Sequence, residues 1–143
     1  MSFSGVKAVL KRLRSDHWAW VNAKVALILW GLAYIIYTPP GPLKELGWLL
    51  NDTIAMFAIV GSIVGICGLI TSTSQNTSTR YNGLLIELVG LILAVCGPAT
   101  YCAVQVMLID DDVIRIAIAM FGYAFTAFMF ARIVVVHRAL KGM

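Results

Sequence analysis

Four apolar blocks separated by short polar hinges take up most of the chain, at 18–37, 47–70, 83–109 and 113–136. Each is about 20 residues or longer, the length at which a helix rising ~1.5 Å per residue crosses ~30 Å of hydrocarbon. A soluble domain of 143 residues could not hide four such helices, because its surface would be almost wholly apolar. Hydrophobic residues make up 60% of the sequence and the mean hydropathy is +0.87, against ~45–50% apolar content in ordinary globular domains. The apolar residues come in continuous runs rather than alternating, which disfavours a β-barrel. The sequence therefore predicts an all-α membrane protein, with residues 1–143 forming a single integral-membrane domain folded as a four-transmembrane-helix bundle.

Charge distribution sets the expected topology. A net charge of +4 would suggest nucleic acid in a soluble protein, but here the basic residues collect at membrane flanks, and no nucleic-acid partner is expected. Lys7, Lys11, Arg12, Arg14 and Lys24 precede or open the first block, Arg80 lies in the middle hinge, and Arg138 and Lys141 follow the last block. Cytoplasmic sides carry the excess of Lys and Arg, so both termini and the middle hinge are expected inside. That leaves the hinge with Lys44, Glu45 and Asp52, and the one with Asp110, Asp111 and Asp112, outside. The basic start followed by a short apolar core also has the outline of a signal peptide. Thr38-Pro39-Pro40-Gly41 stands where a small-x-small cleavage site would be needed, so the first block is read as an anchor. Lys24 is expected to snorkel to the inner surface, with Trp18 and Trp20 at interfacial height.

Residues 3–14 form an amphipathic pattern, with Phe3, Val6, Val9, Leu10 and Leu13 on one helical face and Lys7, Lys11 and Arg14 on another. Such a helix would lie on anionic inner-leaflet lipids. The run 71–79 reads as a flexible polar linker, and Thr38 to Pro42 as a stiff turn. Asn76-Thr77-Ser78 and Asn51-Asp52-Thr53 match the glycosylation triplet, but one is expected inside and the other against the membrane. Asp110, Asp111 and Asp112 form an external acidic turn. It either complements a helix N-terminus, with Arg115 one turn on, or concentrates cations at the mouth of an oligomeric pore.

The third block carries the most information. At 100° per residue, Glu87, Gly90, Ala94, Gly97, Pro98, Tyr101 and Gln105 fall within about a 100° arc. Intramembrane ionisable groups turn toward protein or water, so this stripe either packs on another helix or lines an aqueous path. Glu87 is the one acidic residue buried within a block, Asp52 being at the edge of the second, and Arg80 or Lys24 could neutralise it, with no second partner evident at its depth. Pro98 is a candidate kink. Gly61, Ser62 and Gly65 give the second block a small face suited to close helix approach. The fourth block has two small faces, Ala117, Ala124 and Ala131 on one side and Arg115, Ala119, Gly122 and Thr126 on the other, suggesting neighbours on both.

Nothing in the sequence points to catalysis. Cys67, Cys96 and Cys102 all lie within blocks, without a Cys-x-x-Cys pair, which argues against membrane thiol oxidoreductases. His17 and His137 stand apart from each other and from carboxylate clusters, so neither a metal nor a cofactor is expected. No serine–histidine constellation or phosphate loop is present.

In size, basic amphipathic start, four closely spaced spans and short basic tail, the chain resembles phage holins and the small four-span proteins beside them in actinobacterial phage lysis cassettes. The resemblance covers the whole layout, although the tail is less charged than is usual for holins. It implies a bacterial inner (plasma) membrane, homo-oligomerisation and lesions that release or activate an endolysin, with the stripe of the third block and the small faces as oligomer surfaces. Two other readings stay open. One is a small channel or transporter using Glu87, and the other is a non-catalytic accessory subunit or assembly factor packed on a membrane partner.

Overall fold

The computed structural model describes residues 17–37, 48–107 and 113–142. The amphipathic segment 3–14 with Lys7, Lys11, Arg12 and Arg14, the Pro-rich turn, and the acidic turn Asp110, Asp111 and Asp112 lie outside them. Four helices follow one another: α1 Trp18–Tyr37, α2 Trp48–Ser72, α3 Thr77–Met107 and α4 Val113–Lys141. All four are long and apolar enough to cross a membrane, and no strand occurs among the described residues. The fold is an all-α four-helix bundle of a multi-pass membrane protein.

The middle connection departs from the expected flexible linker. α2 continues to Ser72 and α3 begins at Thr77, so only a tight turn separates them. The hydroxyls account for this. Thr71 Oγ1, Ser72 Oγ and Thr73 Oγ1 donate to the carbonyls of Cys67, Leu69 and Ile70 at 2.8, 2.8 and 2.7 Å, satisfying acceptors that the end of a helix leaves open. Asn76 then caps α3: its Oδ1 accepts from the Ser78 and Thr79 amides at 3.0 and 3.4 Å. Short polar side chains here end one helix and start the next. The first turns of α3 are polar and exposed, so this helix extends beyond its apolar block on that side.

α2 and α3 form the tightest pair, antiparallel and in backbone contact along most of their length. A Cβ added at Gly68 would fall inside the Glu87 backbone, at Gly90 inside that of Gly65, and at Gly83 inside that of Ser72. One at Gly61 would stand 2.8 Å from the Gly90 carbonyl oxygen. The absence of side chains lets the two backbones gain dispersion contact that bulkier residues would prevent. Ala55, Ala58 and Ser62 of α2 and Leu91 and Ala94 of α3 are fully buried.

α1 packs on α2 and α4 on α3. Gly31 meets α2, where an added Cβ would lie 2.7 Å from Ile59 Cγ1. Gly122 meets α3 against the Cys102 side chain. α1 and α4 reach each other through large side chains, with Trp20 and Phe128 stacked at 4.4 Å between centroids and an interplanar angle of 21°. The core is built from Ala23, Leu27, Leu84, Leu91, Ala94, Met129 and Val136. The outer surface is apolar, with Leu29, Ile36, Val89, Met120, Phe121 and Phe130 exposed, as a helix bundle solvated by acyl chains requires. α3 stays helical through Pro98.

Candidate functional site

Three helices each place one charge at a common point inside the bundle. Glu87 of α3 is 0% exposed, Lys24 of α1 is 1% exposed and Arg132 of α4 is 7% exposed. Lys24 Nζ donates to Glu87 Oε1 at 3.1 Å. Arg132 approaches the same carboxylate side-on and bidentate, Nε to Oε1 at 3.0 Å and Nη2 to Oε2 at 3.1 Å. The guanidinium Cζ also stands 5.3 Å from the centre of the Trp20 ring, a cation–π distance. Planarity suits Arg to both tasks at once, which an ammonium could not perform.

Local structure positions each partner. Lys24 reaches inward because Gly65 of α2 leaves room for its stem: a Cβ there would lie 2.9 Å from Lys24 Cε. Glu87 sits where Gly68 lets the α3 backbone press onto α2. The Trp20–Phe128 stack lies beside Arg132 and joins α1 to α4. One carboxylate thus ties the two outer helices to the glycine-packed inner pair.

The arrangement revises two expectations. Lys24 does not snorkel outward; in hydrocarbon a buried carboxylate is the stronger attraction, and the ammonium turns to it. Trp20 stacks on Phe128 and Arg132 between α1 and α4, while Trp18 is exposed. Of the two cations considered for Glu87, Lys24 is engaged and Arg80 is exposed on the polar extension of α3. The second partner at Glu87's depth is Arg132, which sequence reasoning missed. Its signal was present: an Arg inside an apolar span needs a partner, and Glu87 was the one acidic residue well inside a block.

Electrostatically the cluster is unbalanced. Two cations against one carboxylate leave one positive charge in excess when all three are ionised. Burial makes any unpaired member costly, so the carboxylate and both cations depend on one another.

The stripe of the third block is placed as follows. Glu87, Gly90, Ala94, Gly97 and Pro98 are buried, Tyr101 is half-buried, and the Gln105 side chain is outside the described residues. Gly61, Ser62 and Gly65 are buried, Gly61 and Gly65 facing α3. The faces expected between copies are therefore largely covered within one chain. On α4, Ala119 is buried and Gly122 half-buried, whereas Ala117, Ala124 and Ala131 are exposed. Cys67 and Cys96 are exposed and Cys102 is buried, all as free thiols. Among the described residues no group of three or more His, Cys, Asp or Glu is placed to hold a metal ion.

Beyond the cluster, toward the ends of α1 and α3 that carry Tyr34 and Tyr101, the bundle holds a half-open cleft of about 210 Å³. Leu27 and Trp30 line it from α1, Pro98 and Tyr101 from α3, and Phe121 and Phe125 from α4. Trp30, Tyr34 and Tyr101 form an aromatic group there, with centroids 5.1 to 6.1 Å apart. Set against protein-family models, curated proteins and solved structures, the chain finds no match in any of the three.

Proposed function

We propose that the chain is a holin-like protein that permeabilises a bacterial inner membrane, its bundle being the closed form. The observation that carries the reading is the inward placement of every charge described within the membrane-spanning core, under a lipid-compatible exterior. A protein that must accumulate harmlessly in a bilayer and later admit water needs such a store of polar groups. Parting α1 from α4 would hydrate Lys24, Glu87 and Arg132 without breaking the α2–α3 glycine contact. The layout-level resemblance to holins supports the same reading, which is non-catalytic and places the protein in the membrane as a homo-oligomer when active.

A small channel is the second reading, favoured by the half-open cleft beside Pro98. Transport that uses Glu87 fits less well, because Lys24 and Arg132 occupy both its carboxylate oxygens through three contacts in the closed bundle. Inducible expression in a bacterium, with membrane potential and growth recorded, tests the proposal. Depolarisation and growth arrest after a lag are expected. Sustained growth with an intact potential would remove it.

A further inference from the structure

The cleft and the charge cluster lie along one seam. Leu27 lines the cleft one helical turn from Lys24, Phe125 lines it two turns from Arg132, and Pro98 stands three turns along α3 from Glu87. Between the cleft and the cluster the seam of α1, α3 and α4 is closed by the buried Leu91, Ala94 and Met129, and a passage opened along it would end on two cations and a single carboxylate. Beside them the Trp20–Phe128 stack joins α1 to α4, with Arg132 resting on the indole.

Sign is what such a passage would select. Apolar walls present no charge with which to distinguish an anion from a cation, whereas charged side chains at a constriction favour the opposite charge. With water admitted, Lys24 and Arg132 are both cationic and outnumber Glu87 by one. Among the described residues the only other carboxylate is Asp52, exposed at the far end of α2. We infer that the seam within each bundle of the oligomer is a closed ion path, selective for small inorganic anions when open. Lys24 and Arg132 form its filter, and Glu87 is the counter-charge that holds both in position. The inference rests on the permeabilising reading and adds to it the class of ion that passes.

The acidic run Asp110, Asp111 and Asp112 in the sequence carries the opposite charge and would favour cations if it decided the selectivity. Reversal potentials separate the two. The purified full-length protein is placed in planar bilayers under a gradient of potassium chloride. The expected reversal potential is displaced toward the chloride equilibrium value. Glu87→Gln, which removes the counter-charge, displaces it further, while Lys24→Met and Arg132→Gln each bring it back toward zero. Arg132→Lys keeps the charge and retains the wild-type displacement, separating loss of charge from loss of fold.

Reversal at zero or toward potassium overturns the filter, as does an unchanged displacement in conducting Lys24→Met and Arg132→Gln proteins. Conductance without anion preference removes the filter and leaves permeabilisation standing. No conductance from the wild type, together with an intact potential in cells, removes both.

Discussion

Glu87 is the residue on which the bundle converges, and its replacement should be felt well beyond α3. Glu87→Gln keeps shape and hydrogen-bonding capacity but leaves two buried cations without a counter-charge. Breaking a buried ion pair in this way typically costs about 3–5 kcal/mol. Unfolding in detergent should show a loss of that order, and a variant as stable as the wild type would mean that Lys24 and Arg132 had found other partners. Ser62 presents the contrary case. Its hydroxyl is fully buried inside the bundle with no hydrogen-bond partner among the described residues. Ser62→Ala removes an unsatisfied group and keeps a small side chain, so the same measurement should move by less than about 1 kcal/mol, or in the stabilising direction. Two fully buried polar residues thus have different expected effects, decided by charge and by what each touches.

At the scale of elements, the pairing of α2 with α3 depends on the absence of side chains at a few points. Gly90→Val would drive a branched side chain into the Gly65 backbone, with no flexible atom able to yield. Overpacking usually costs about 1–3 kcal/mol, and a clash with backbone belongs at or above the upper end. Gly142→Ala is the matched control, since the nearest atom to its new Cβ would be 3.6 Å away. Equal melting temperatures for the two variants would show that the close approach contributes little. The glycines and the span lengths were legible in the sequence because they are properties of one helix at a time. Arg132 was not, because its role depends on which helices become neighbours. Its place in a continuous apolar run concealed it, and only the alignment of α1, α3 and α4 brings it to Glu87. The middle connection was misread for a related reason: Ser and Thr suit flexible linkers and helix ends alike, and only their carbonyl partners distinguish the two.

For the whole molecule, four helices in sequence return the chain to the side it started from. Reporter fusions at the two ends should therefore read the same compartment, expected to be the cytoplasm from the distribution of Lys and Arg. One end reading outside would remove that topology. The charge cluster also imposes an order on biogenesis. Lys24 leaves the ribosome 63 residues ahead of Glu87, and Arg132 follows Glu87 by 45. On insertion scales a lone Lys or Arg at the middle of a span opposes partitioning by roughly 2.5–3.5 kcal/mol. Lys24 stands only about 9 Å from the start of α1, near enough to the surface for its ammonium to remain wet while it waits. Arg132 enters last, when the carboxylate it needs is already in the membrane. If that wetting keeps nascent α1 at the interface until α3 arrives, a ribosome stalled before Glu87 leaves the first helix shallow and extractable.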